Sequence, residues 1–399
     1  MSAPLQRTPR DLIATGVVSA VSLLAVVGVW ATAPIRSAEL TPAAEEVSVD
    51  EQLLEVPAGL VKSFTLDSST LPGQHRPLVA GGLLISNDGH NVFAHDPAGE
   101  EVWRYERDRE ICGIGTAWQA VTIAYRNNAG CGDAVSITAS SGEYKSTRSA
   151  PAPDEVVMTT SNDRVGIANE ERVELWRSDL VRTVEYGDVP APQEADQQPH
   201  ADCTITSALT RTELLAVTEQ CPDGTWLRLQ DTTPEDARKP EITQNIQLED
   251  PASRLVAIGQ SDVAVHTGSQ ILAINGEGET TQRLISPKLD VAGFYSPATA
   301  DLPNHMSWFE GNRLYLFDPA GLKVTQVFMD AIGTGIVVGD KLLYPVENGI
   351  SVTDPISGVQ EKILPVQRGA HTGEVSLALA GGTIVEKRGE QLVGLVQAP

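Results

Sequence analysis

One phrase occurs twice in this chain and limits what it can fold into: residues 93–102 read FAHDPAGEEV and residues 315–324 read YLFDPAGLKV. In each, an apolar or aromatic strand end runs into Asp, Pro and Gly. The carboxylates of Asp96 and Asp318 are placed to accept from backbone amides two residues on, the prolines fix φ, and Gly99 and Gly321 supply φ > 0. Two strands must meet at such a turn. A weaker copy at residues 350–359 (ISVTDPISGV) keeps Asp354, Pro355 and Gly358, and residues 137–144 (ITASSGEY) keep only the rhythm. A hairpin recurring at this scale predicts a repeat architecture.

Period-two apolar runs bounded by turn residues divide the chain into sets of four short strands. The sets cover residues 77–104, 114–148, 156–186, 204–248, 254–285, 291–328 and 335–366, and three further strands (VSLALAG, TIVEK, QLVGLV) follow. One strand is missing at that end, and one is left over at the start, residues 60–66 (LVKSFTL). The surplus and the deficit fit each other, because a β-propeller closes its ring when a strand from one terminus completes the blade begun by the other, leaving no open array edge. The expected fold is all-β: an eight-bladed propeller over residues 59–399, closed by the N-terminal strand. The count falls to seven if the sixth set, interrupted by residues 295–304, is irregular. The 34 Gly and 25 Pro, scattered rather than clustered, suit many short strands and few helices.

Residues 12–33 hold no charged side chain and, as a helix, span about 33 Å, enough to cross a bilayer. Arg7 and Arg10 precede the run and only Arg36 follows closely, which sets residues 1–11 as a cytoplasmic tail and the rest outside the membrane. Ala31-Thr32-Ala33 resembles a signal-peptidase site, but the apolar run is longer than a usual signal core and Pro34 sits where cleavage is disfavoured, so a retained anchor is expected. Residues 34–58 carry Glu39, Glu45, Glu46, Asp50, Glu51 and Glu55 against Arg36 alone and read as an acidic extracytoplasmic stalk. The short tail either orients the anchor or also docks a cytoplasmic partner.

Four cysteines fall as Cys112 and Cys131, then Cys203 and Cys221, with a strand pattern between the members of each pair. Neither spacing matches a tetrahedral zinc site, so two disulfides at equivalent places in two blades are expected, in keeping with an oxidising compartment. With 53 acidic against 29 basic residues, a net charge of −24, the chain would repel a phosphate backbone, and no nucleic acid partner is expected.

The series Ala94-His95-Asp96, Gly99, Trp103 resembles the tryptophan-docking repeat of the quinoprotein, or PQQ-like, propellers. Anchor and propeller together resemble a family of actinobacterial single-pass envelope proteins, through segments such as residues 107–113 (RDREICG) and 173–187 (VELWRSDLVRTVEYG). The likeness implies the scaffold without the cofactor. Only Trp103 occupies the docking place, the turn before it is one residue shorter than the usual Thr-Gly-Lys form, and no two cysteines are adjacent as they are in cofactor-bearing members.

Searching for chemistry yields no H-E-x-x-H, no G-x-S-x-G and no P-loop. His90 and His95, an odd number apart on a strand, face opposite ways and cannot share a metal. No catalytic residue, cofactor or metal is expected. Two long connections stand out. Residues 187–202 are polar and proline-rich, the composition of a disordered segment, whereas residues 287–304 carry Phe294 and Tyr295, candidates for contact within the fold or with a partner. The expectation is a non-enzymatic, membrane-embedded receptor or assembly scaffold for envelope or membrane proteins; the alternative is a PQQ-dependent dehydrogenase-like enzyme or a cofactor-free remnant of one.

Overall fold

Short strands joined by tight turns pair with their neighbours in sequence, and the chain does this eight times over. The computed structural model describes residues 8–49, 52–190, 192 and 194–399. Its sheets form eight antiparallel blades, so the seven-bladed alternative falls. Seven blades are four-strand meanders, at residues 78–106, 111–149, 157–187, 204–248, 254–285, 298–329 and 336–365, and the eighth, at 375–397, takes its outer strand from elsewhere. That strand is Leu60–Asp67, antiparallel to Gln391–Gln397, with Leu60 opposite Gln397 and Asp67 opposite Gln391. The surplus strand therefore closes the ring as its sequence implied.

Second strands such as Leu83–Asn87 are buried along their length, because each lies between two neighbouring blades. Outer strands alternate, as in Ile242–Leu248, because the blades splay towards the rim and one face meets water. In six blades the fourth strand carries one extra residue against the third beside their shared hairpin, for example Val102 opposite Ala94 and His95 and Thr325 opposite Leu316 and Phe317. Such bulges sharpen strand twist at the turn.

The repeated phrase behaves as its chemistry requires. Asp96 Oδ1 accepts from the amides of Ala98 (2.8 Å) and Glu100 (2.9 Å), Asp318 Oδ1 from Ala320 (2.9 Å), and Asp354 Oδ1 from Ile356 (2.9 Å) and Ser357 (2.8 Å). Gly99 has φ +90° and bears on ring closure: a Cβ there would lie 2.6 Å from Phe64 of the closing strand. Thr383 Oγ1 donates to Pro97 O at 2.7 Å across the same seam. Trp103, 1% exposed, packs onto the next blade and its indole donates to Ala139 O at 2.7 Å.

Pro9–Thr32 is one exposed helix of 24 residues, long and apolar enough to cross a membrane. It starts three residues earlier than the uncharged run, because Thr8 and Asp11 form a reciprocal capping box ahead of Pro9 at the first helical position. Residues 1–7, most of the expected tail, lie outside the described residues.

The acidic segment read as a stalk is applied to the propeller. Glu39–Thr41 adds a fifth strand to the first blade, residues 78–106, with Leu40 opposite Tyr105. Beyond it, the amides of Ala43 and Val47 donate to Ser141 O and Ser140 O, both at 3.0 Å. Val47 and Val49 pack on the core of the first and second blades, and Leu53 and Val56 on that of the seventh and eighth.

Candidate functional site

Meander topology sorts the connections onto two faces. The first and third hairpins of each blade share one, the hairpin face; the second hairpins and the blade-to-blade crossings share the other, the crossover face.

On the hairpin face the applied segment forms a strap. It covers a cavity of about 870 Å3 whose wall includes Gly81, Gln119, Pro303, Gly339 and Gly381, first-hairpin residues of five blades. Ser140 Oγ donates to Glu46 at 2.8 Å, and Lys362 Nζ donates to Pro57 O at 3.0 Å. Leu54, 71% exposed, is the apolar side chain the strap turns outward.

Within the ring, a channel of about 360 Å3 is lined by inner strands together with His75, Arg76 and Ser296. His75 Nε2 lies 2.9 Å from Ser296 O, so two crossings meet at its crossover mouth. Arg76 donates to Leu377 O at 3.0 Å; burial pushes its guanidinium down to about 10, which leaves it charged at neutral pH.

The crossover face holds an open cleft of about 960 Å3 between the second and third blades. Glu110, Asp154, Glu155, Glu170 and Glu171 line it against one cation, Arg126. Arg126 Nε lies 2.9 Å from Glu110 and its Nη1 4.0 Å from Asp154, which leaves most of the negative charge to solvent. Each carboxylate is placed by backbone rather than by packing. Asn169 Oδ1 accepts from the amides of Glu171 (3.0 Å) and Arg172 (2.9 Å), which shapes the turn that presents Glu170 and Glu171. Asp154 and Glu155 ride on the crossing at residues 150–156, which is stitched to a strand end by Ala150 N to Gly132 O (3.0 Å), Ala152 N to Ala129 O (2.8 Å) and Cys131 N to Pro153 O (2.9 Å). That approach demands glycine: a Cβ on Gly130 or Gly132 would sit 1.8 Å from a carbonyl oxygen of the crossing.

The cleft wall contains a disulfide. Cys112 is bonded to Cys131 and Cys203 to Cys221, with Cα separations of 5.9 and 4.3 Å. The expectation of equivalent places in two blades is corrected. The first bond joins the first and third strands of the second blade, at the register shifts between Ile111 and Gly113 and between Tyr125 and Asn127. The second joins the residue before one strand, Thr204–Arg211, to the last residue of the next, Leu214–Cys221.

Phe294 is half-buried at the cleft, packed against the core of the third and fourth blades. Tyr295 is used within the fold: its amide donates to Thr206 O at 2.8 Å, its hydroxyl accepts from the Trp308 indole at 2.9 Å and donates to Glu310 at 3.2 Å. Burial pushes the Tyr295 phenol up, and burial likewise raises the carboxyl of Glu310.

His200, Cys203 and Glu219 come within 4.8 Å of one another. They are not a donor set for a cation, since Cys203 is disulfide-bonded and Glu219 pairs with Arg228 at 2.8 Å while accepting from the Tyr186 hydroxyl at 2.7 Å. The polar segment at residues 187–202 is also structured where it is described: Gln198 Nε2 donates to Glu185 O (3.1 Å) and Arg238 O (2.9 Å), and Gln197 is buried.

Sequence reasoning did not find the cleft, whose lining spans residues 72 to 294. The Gly130-Cys131-Gly132 triplet was the local signal that a crossing presses against that strand.

No family model matches the sequence, and no curated protein matches it. Solved structures match the fold. BamB from Moraxella catarrhalis is similar at a TM-score of 0.50 with 11% identity, over 84% of this chain and 99% of that one. The computationally designed Ika8 protein is similar at 0.55 with 12% identity, over 83% and 99% respectively. At such identities the likeness is one of fold.

Proposed function

We propose that this chain is a membrane-anchored, non-enzymatic scaffold or receptor of the cell envelope. Its propeller stands outside the membrane and docks a basic segment of an envelope or membrane protein in the acidic cleft. The observation that carries the reading is the open cleft itself: five carboxylates against one arginine, on the face that the chain's own strap leaves uncovered. Charge of one sign in a concave site steers and registers a complementary partner.

Three further features support it. Two disulfides suit an oxidising compartment outside the cytoplasm. The helix ends at Thr32 and the first propeller strand begins at Glu39, a separation that extended chain spans in about 20 Å, so the ring is held close to the bilayer. The resemblance to actinobacterial single-pass envelope proteins agrees with both. Against a quinone enzyme, Trp103, Trp176 and Trp308 are buried among the blades and are not among the residues lining the central channel.

The test is site-specific photo-cross-linking in intact cells, with the reactive group at Glu170 or Phe294 on the cleft and at Leu54 on the strap. Recovery of a membrane or envelope protein from the cleft positions is expected. Equal recovery from Leu54, or none above background from the cleft, sinks the docking reading. A thermal shift on adding the quinone with calcium would overturn the non-enzymatic one.

A further inference from the structure

Outward from the acidic cleft, across the wall made by residues 150–152 and 169–172, lies a smaller cavity of opposite charge. It encloses about 150 Å3, and its lining includes Arg148, Arg172, Arg182 and Arg238 with Glu174 and Glu185. In a chain with 29 basic residues against 53 acidic ones, four guanidiniums around one small space need a reason.

Most of that charge is accounted for within the fold. Arg148 pairs with Glu174, and Arg182 with Glu185. Arg238 pairs with Asp236 at 2.9 Å. Glu174 also accepts from the Trp176 indole at 2.5 Å, so it has little left to offer. Arg172 is different. Its side chain is 4% exposed, Nη2 donates to Pro151 O at 2.7 Å, Nε has no hydrogen-bond partner, and it makes no ion pair among the described residues. Glu185 acts on it only at longer range than an ion pair, and a buried guanidinium without a directly paired carboxylate is costly, while its fork of N–H groups matches the paired oxygens of a carboxylate or phosphate. The space corresponds to about five water volumes, room for one such group with some solvent. Over it lies the segment pinned by Gln198, with Val189 and Pro190 in the lining.

We propose that this cavity at the rim of the third blade binds a small oxyanion, a phosphate or carboxylate group, with Arg172 as its principal ligand. The site is distinct from the acidic cleft and does not depend on the docking reading. Its ligand group is carried either on a phosphoryl-bearing molecule or on a carboxylate-bearing one, and the two share this chemistry.

The test uses the full-length protein in detergent micelles. Inorganic phosphate and acetate are titrated separately by calorimetry and thermal shift, against sodium chloride at matched ionic strength. Saturable binding of at least one anion is expected, with affinity falling about tenfold or more in Arg172→Gln as a charge-assisted bidentate contact is lost. Arg238→Gln, at a half-exposed position where folding is retained, should weaken binding by a smaller factor. Binding of phosphate alone assigns a phosphoryl ligand, and of acetate alone a carboxylate. The proposal is overturned if neither anion differs from chloride, or if binding is unchanged in both variants. If Arg172→Gln does not fold, a crystal structure of the unmodified protein grown with phosphate decides: an anion against Arg172 supports the site, and an anion only elsewhere removes it.

Discussion

The hairpin face and the crossover face of this ring are made from the same eight meanders, yet the chain treats them in opposite ways. Across the hairpin face it lays its own residues 42–49 and 52–57, which close over a large cavity and reach the cores of blades on both sides of the ring seam. On the crossover face it presses its connections down onto strand ends and leaves between them an open acidic cleft. A large cavity is therefore not in itself a sign of function. What separates the two is whether the molecule already supplies an occupant: the strap lies over the hairpin-face cavity, whereas the crossover cleft stays open.

Four measurements would break or sharpen that contrast. Reversing charge in the cleft, with Asp154→Lys, Glu170→Lys and Glu171→Lys together, should lower cross-linked partner recovery by about tenfold or more through lost complementarity. Glu46→Lys on the strap should leave recovery nearly unchanged, and equal losses would erase the asymmetry. Next in size is removal of a disulfide. Replacing Cys112 and Cys131 by Ser should cost about 3 kcal/mol in denaturant unfolding and also weaken partner recovery, because the bond lies in the cleft wall. Replacing Cys203 and Cys221 should cost a similar amount of stability with recovery intact.

A smaller effect is expected from the strap. Val49→Ala should destabilise by about 1 kcal/mol and speed amide hydrogen exchange at Ala43 and Val47, whose partners are Ser141 and Ser140, without affecting Ala152 on the crossing. The faces should also respond to pH with opposite slopes. On the hairpin face, the amides of Ser357 and Ile356 hold the Asp354 carboxyl below its ordinary range, so its contribution is present above that range and is lost as pH falls below it. On the crossover face, burial raises Glu310, so its contribution is present at low pH and is lost as pH rises through its elevated value. Asp354→Asn should flatten the acid limb of the stability curve and Glu310→Gln the limb above it; the reverse assignment would refute these causes.

The ring was legible because its signals are local. Asp, Pro and Gly at a turn act within five residues, and counting from turn to turn places every blade and leaves residues 60–66 as the strand without a home. Trp103 was legible for the same reason. The strap was not, because Val47, Val49, Leu53 and Val56 each meet the ring singly, with no period to betray them, among acidic neighbours typical of a free linker. The cleft was further from reach: Glu110, Asp154, Glu170 and Phe294 come from separate connections, and only closure of the ring makes them neighbours. Residues 187–202 misled through composition, since a glutamine with two backbone acceptors fixes a segment that its prolines and charges alone would leave loose.

Phe64, seated against Gly99 and Gly394, also sets a timetable. Its strand leaves the ribosome before any blade is complete, while Gln391–Gln397, the strand it must pair with, comes last. For the whole interval the growing array exposes two unpaired edges, the situation in which strands from other chains add most readily. The loop to be closed exceeds three hundred residues. Entropy charges only logarithmically for that length, yet such distant pairings form slowly. Any factor that shelters the nascent protein is therefore expected to act on the seam between the eighth and first blades, and to be dismissed when Phe64 arrives.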